Sequence, residues 1–180
     1  MVVPMSTHSS STSTDVRTST AASSTPSPFS TTPELAAGVA QFLAPVVIDL
    51  EAIVVNGKQA HWHVRGRNFV GVHELLDQVV EHAQEYADTA AERIVALGLP
   101  VDARLTTVAA RTTVPPLSEG FQHSDVTITE VIAEIDAALL QVRRAVEGLD
   151  EVDLNSQDVA IEIERGLTKD RWFLQAHLAA

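Results

Sequence analysis

At 180 residues the chain is long enough for one domain with a substantial core and too short for two of ordinary size. Twelve Lys and Arg against 24 Asp and Glu give a net charge of −12 and a pI near 4.8, a balance that attracts cations and repels nucleic acid and anionic membranes. The lack of Cys excludes disulfides, iron–sulfur clusters and thiolate zinc sites, so any metal must be held by oxygen and imidazole.

Residues 1–32 contain 18 Ser or Thr and few large apolar groups, too few to offset the entropy of ordering, and read as a tail. Arg17 is balanced there by Asp15, so the tail is not a basic arm that grips phosphates. Neither a signal peptide nor a membrane span is expected. The first twenty residues lack a basic start and an apolar run. The most apolar stretch, Phe42 to Val55, carries Asp49 and Glu51 and is shorter than the roughly 20 residues a bilayer needs.

Thr32-Pro33-Glu34 is a helix start, with a hydroxyl cap, Pro at the first helical position and an acid in the first turn. The helix it opens should run to about His61, and Ile48, Leu50, Ile53, Val54 and Val55 leave it little polar face. Pro45 removes one backbone hydrogen bond and should bend this helix or delay its regular start. Gly57 costs about 1 kcal/mol of helix stability, which a close helix crossing would justify.

Arg65-Gly66-Arg67-Asn68 forms a turn, and a second helix runs from about Phe69 to Gly98. At 100° per residue, Leu75, Leu76, Val79, Val80, Ala83, Tyr86, Ala87, Ala90 and Ile94 share one arc, while His73, Asp77, Glu81, Glu85, Asp88 and Glu92 share another. Leu99 to Asp125, with Pro100, Pro115, Pro116 and Gly120, is a long connection carrying a short helix around Thr107 to Arg111. A third helix is expected over about Val126 to Leu149, and a fourth from a cap at Asn155 or Ser156 to about Leu178. The fold class is therefore all-α, a four-helix bundle with a long crossover. No repeat and no convincing strand is present.

His61, His73, Asp77, Asp88 and Glu92 carry the metal chemistry. On one helix the rise of roughly 1.5 Å per residue puts Asp88 about 16 Å beyond Asp77. Metal–ligand bonds are only about 2 Å long, so His73 and Asp77 cannot share an ion with Asp88 and Glu92 of the same helix. Each half-set needs donors from elsewhere. A second copy related by a two-fold axis is the simplest supplier, because an isologous interface sets one copy's first half against the other's second half, twice over.

Three ordered motifs, Lys58-Gln59-Ala60-His61-Trp62, Val72-His73-Glu74-Leu75-Leu76-Asp77 and Asp88-Thr89-Ala90-Ala91-Glu92-Arg93, resemble the signature of the Dps family, the bacterial mini-ferritins. The likeness extends from about Thr32 to Leu178, including Asp153-Leu154-Asn155-Ser156-Gln157-Asp158 and Lys169-Asp170-Arg171-Trp172-Phe173. It implies a ferritin-like bundle over residues 33–180 and a tetrahedral homo-dodecameric shell, with iron sites at dimer interfaces. His61, His73 and Asp77 would come from one subunit and Asp88 and Glu92 from its two-fold mate. The implied activity is ferroxidase: Fe(II) is oxidised to Fe(III), with hydrogen peroxide preferred over dioxygen, and stored as a ferric oxide mineral core. Trp62 matches the family's tryptophan beside the site, a ring that could intercept a stray radical. Asp153, Asp158 and Glu162 resemble acids of the iron entry pore, although acids at a helix start also cap it. Glu74, Glu81 and Glu85 could face the cavity. Pro45 and His63, the latter where Asn is common, depart from the family pattern.

Trp62 and Trp172 suit plain packing, and His8, His82, His123 and His177 have no partners at ligand spacing. No Glu-x-x-His occurs, so the conventional ferritin site inside one bundle is not supported. The alternative activity is non-specific DNA binding in a nucleoid protein. With no basic tail, and a net charge that a dodecamer multiplies twelvefold, DNA binding is expected to be weak or absent at neutral pH. The expected location is the bacterial cytoplasm, open to nucleoid association.

Overall fold

The computed structural model describes residues 31–178. Residues 1–30 of the expected tail, His8 among them, lie outside the described residues. Helix α1 spans Pro33–His63, and the two-residue strand β1 Val64–Arg65 follows it. Helix α2 covers Phe69–Ala96 and the short α3 Leu105–Arg111, and strand β2 is Gln122–His123. Helices α4 and α5 are Ser124–Leu149 and Leu154–His177. The four long helices pack α1 against α2 and α4, and α5 against α4 and α2, with α3 lying on α1. Leu43, Leu50 and Ile53 of α1 meet Leu76, Ile135, Ile163 and Leu167 in a fully buried aliphatic core. Burial of this kind, at about 25 cal/mol per Å² of apolar surface, drives the assembly of the bundle.

Thr32 caps α1 as expected, its Oγ1 accepting from Leu35 N at 3.2 Å. Pro45 does not delay the helix, which is continuous from Pro33. The hydrogen bond it removes belongs to the carbonyl of Gln41, a residue on an exposed turn where water can substitute. Gly57 marks the close crossing: a Cβ there would stand 2.7 Å from Val80 Cγ2, so α1 and α2 approach at a distance only Gly allows. By length and composition α1 alone, among the described helices, could cross a membrane, yet 50% of its most apolar window is buried inside the bundle.

Three boundaries differ from expectation. Helix α3 starts two residues earlier, at Leu105, and α4 at Ser124. The cap of α5 is Asp153 rather than Asn155 or Ser156, its carboxylate accepting from Ser156 N at 2.9 Å. The strand pair was not expected: Val64 and Arg65 pair in parallel with Gln122 and His123, tying the end of α1 to the start of α4. Two residues show no alternation, so no periodicity announces them.

One buried acid fixes the crossover. Asp49, 1% exposed in α1, accepts from Thr112 Oγ1 at 2.8 Å, Thr113 N at 2.7 Å and Thr113 Oγ1 at 2.6 Å. These bonds satisfy a carboxylate that would be costly to bury alone, and they pin the segment after α3 to the bundle.

Candidate metal centre

The turn between α1 and α2 builds the centre. Gly66 at φ 101° and Asn68 at φ 56° take left-handed conformations that reverse the chain in a few residues; Asn is among the few side chains that tolerate this. The reversal lays His73, at the start of α2, on His61, in the last turn of α1. Their rings stack with centroids 3.6 Å apart and planes 22° from parallel. Each Nδ1 lies 2.9 Å from the backbone carbonyl of the other residue. A carbonyl only accepts, so both Nδ1 atoms carry their hydrogen, and in the neutral rings both Nε2 atoms are left as lone-pair donors. Metal-binding histidines are commonly prepared in this way.

Asp77, one turn after His73, completes the cluster. Its Oδ1 is 3.2 Å from His61 Nδ1 and 2.6 Å from Lys58 Nζ. The Lys58 hydrogen bond holds the Asp77 carboxyl below the usual carboxylate range against the opposing effect of desolvation, and His61 adds to the lowering. Asp77 is an anion around neutral pH.

Asp88 and Glu92 are exposed on the same helix, three and four turns further on. The structure therefore brings His61, His73 and Asp77 together and leaves Asp88 and Glu92 apart from them. No group of three or more His, Asp or Glu among the described residues is arranged to hold a metal within one protomer. In the cluster, both Nδ1 atoms and Asp77 Oδ1 are turned to protein partners, so three donors do not converge on a point.

Trp62, between His61 and the turn, is 63% exposed in the isolated protomer. Trp172 is likewise exposed. His63 takes a hydrogen bond from Gln59 Nε2, 2.9 Å from Nδ1, and tilts against Phe121. Asp153 is occupied: beyond capping α5 it accepts from Arg93 Nη2 at 2.7 Å, while Arg93 Nε donates to Ser156 Oγ at 2.9 Å. Burial raises the Asp153 pKa, and the bonds from Ser156 and Arg93 more than reverse this. Asp158, Glu162, Glu74, Glu81 and Glu85 are exposed.

Three features of the structure go beyond what the sequence alone predicts. Lys58 is the cation on Asp77. Glu134 of α4 is 1% exposed, bonded to Asn56 Nδ2 at 2.6 Å through Oε1, with Oε2 unpartnered. Burial pushes its pKa up to about 8. His82 of α2 pairs with Asp170 of α5, 2.9 Å from Nδ1 to Oδ1, where Asp170 is 2% exposed. Of these only Lys58 had a local signal, lying three residues before His61 on the same face of α1.

A four-helix bundle with a crossover helix and an imidazole–carboxylate cluster between its first two helices defines a ferritin-like protein, and the ferritin-like domain family matches residues 50–180. The chain is 36% identical over 126 residues to the DNA protection during starvation protein of Mycolicibacterium smegmatis, a match covering 67% of this chain and 66% of that protein. With the protein of the same name from Agrobacterium fabrum it shares 32% over 133 residues, 73% of this chain and 80% of the relative. Among solved structures, Dps from Microbacterium arborescens in the high iron form gives a TM-score of 0.81 at 62% identity, over 83% of this chain and 97% of that one. The tetragonal form of Mycobacterium smegmatis Dps gives 0.79 at 30% identity, over 83% and 92%. The chain belongs to the Dps family.

Proposed function

We propose that this protein is a ferroxidase and iron-storing mini-ferritin whose catalytic sites form between subunits. The observation that carries the reading is the prepared pair of imidazoles: His61 and His73 lock each other's Nδ1 and leave Nε2 free, beside the anionic Asp77. Asp88 and Glu92, exposed and too distant to join them in one protomer, are the donors that a two-fold partner would bring. The likeness to a structure described as a high iron form supports iron as the ion.

Fe(II) is the substrate. Mixed imidazole and carboxylate donors accept both oxidation states, and few protein ligands leave positions for oxidant and water. Two ferrous ions give one electron each and hydrogen peroxide takes both as its O–O bond breaks, yielding ferric ions and hydroxide. The carboxylates favour the more highly charged ferric product. Dioxygen is the slower acceptor. The product is stored as ferric oxide mineral inside a homo-dodecamer, so iron and peroxide are removed together, protecting DNA in the bacterial cytoplasm. Iron enters past Asp153, Asp158 and Glu162, with Asp153 also capping α5, and Trp62 supplies a ring that can quench radicals at the site.

The deciding experiment is stopped-flow absorbance of Fe(II) with peroxide. Fast oxidation should collapse in a His61→Ala, Asp88→Ala double variant, and an unchanged rate would remove the site assignment. The second reading, protection by direct DNA binding, draws on the name shared by the relatives. The net charge of −12 opposes it.

A further inference from the structure

Lys58 Nζ stands 2.6 Å from Asp77 Oδ1, the shortest approach that any cationic side chain of the described residues makes to the cluster. Both side chains are partly exposed, at 36% and 42%, so this ion pair is not a buried structural bridge, and an exposed pair of this kind adds little to stability. Its placement is informative for another reason. Asp77 is the sole carboxylate in this half of the proposed site, and the ammonium takes up one of its two oxygens, Oδ1. The Lys58 stem is long and flexible and the side chain is partly exposed, so it can swing away without leaving a buried charge unpaired.

From this juxtaposition we infer that Lys58 is a stand-in cation, held by Asp77 while the site is empty and displaced by the incoming divalent ion, so that it sets the affinity of the half-site. The inference rests on the proposed ferroxidase site. Its physical basis is competition. Asp77 cannot give the same oxygen at full strength to an ammonium and to a dication, and an ammonium that stayed within a few Å of a bound dication would repel it. In the proposed two-fold interface Asp77 would meet Asp88 and Glu92 of the second copy. Lys58 neutralises one of the three until metal arrives. It is a positioning and affinity-setting residue, and it takes no electron or proton in the reaction.

The test uses the full-length assembled protein and Co(II) alone, followed by its visible absorption and by calorimetry. Lys58→Met keeps the stem and removes the charge, and should bind Co(II) about tenfold more tightly than the parent. Lys58→Arg restores the charge and should return affinity to within about twofold of the parent. Equal or weaker binding by Lys58→Met, or tightening by Lys58→Arg as large as by Lys58→Met, would overturn the inference. His61→Ala separates the two levels. If it abolishes the Co(II) spectrum while Lys58→Met changes nothing, the site stands and the role of Lys58 falls; if His61→Ala keeps the spectrum, the site itself is misplaced.

Discussion

His61 and His73 secure one another: each ring donates from Nδ1 to the other's main-chain carbonyl at 2.9 Å, and the two rings lie face to face. The last turn of α1 and the start of α2 are thereby one mechanical unit, and the same bonds choose the tautomer. Replacing His73 by Ala removes a donor from the His61 carbonyl and the ring stacked on His61, while the His61 Nδ1 bond to the main-chain carbonyl of residue 73 remains. The expected loss is about 1–3 kcal/mol in urea denaturation of the metal-free protein. A second effect should appear in metal titration, where only one of the two proposed Nε2 donors, that of His61, is left. Unchanged stability in His73→Ala would mean that the paired bonds do not form in solution.

Complementation tests the shared site without relying on loss of activity. Protomers with His61→Ala and protomers with both Asp88→Ala and Glu92→Ala should each be inactive alone. A mixed two-fold pair rebuilds one intact site out of two, because the unmutated half of each copy meets the unmutated half of the other. Random reassembly of equal amounts should then recover about a quarter of parental peroxide-dependent Fe(II) oxidation. A site contained within one protomer would recover none.

Glu134 predicts a pH dependence of stability. Its folded pKa is raised from 4.5 to about 8 by burial, while Asn56 bonds one oxygen and the other has no partner. Between those values the unfolded chain has lost this proton and the folded chain keeps it, so stability falls as pH rises through the window. Glu134→Gln keeps the Asn56 bond and removes the titration. The variant should be more stable than the parent by about 1–3 kcal/mol at pH 8 and close to it near pH 5, because one pKa unit is worth about 1.4 kcal/mol and the amide leaves a donor unpaired. Thermal melts across that range decide it; a gain that grows toward acid would contradict the protonated state.

Asp49→Ala should release the crossover. Three donors, from Thr112 and Thr113, lose their acceptor at a buried position. The expected destabilisation is about 3–5 kcal/mol, with faster hydrogen exchange concentrated in α3 and the segment after it. Protection there equal to the parent's would show that packing alone holds the crossover.

Direct DNA binding should be weak or absent at neutral pH. A gel shift with the full-length protein at low salt and no divalent metal should leave duplex DNA unretarded, since a net charge of −12 per chain gives no counterion release to exploit. Retardation at submicromolar protein would restore the second reading.

The helical architecture was legible because its signal is repeated many times: α2 alone buries Leu76, Val79, Ala83, Ala87, Ala90 and Ile94 at helical intervals, and the crossover is spelled by Pro100, Pro115 and Pro116. The proposed ligands were legible as a spacing problem on one helix. What stayed hidden depends on single long-range pairings. His82 shows no partner at local spacing, since Asp170 lies 88 residues away. Glu134 looks like an ordinary surface acid until tertiary structure buries it, and Asp49, although set in an apolar stretch, has partners 63 and 64 residues away that no local pattern names. The α5 cap was misplaced because Asp153, Asn155 and Ser156 are all good cap formers. Only the geometry shows whose side chain reaches the free amide of Ser156.

Arg93 follows Glu92 directly, and its guanidinium grips both Asp153 and Ser156 at the start of α5. Asp153 belongs to the proposed doorway for iron, while Glu92 belongs to the proposed workshop where iron is oxidised. A single side chain thus links the hinge of one to the handle of the other, and an ion that draws Asp153 toward itself would tug on the strut next to Glu92.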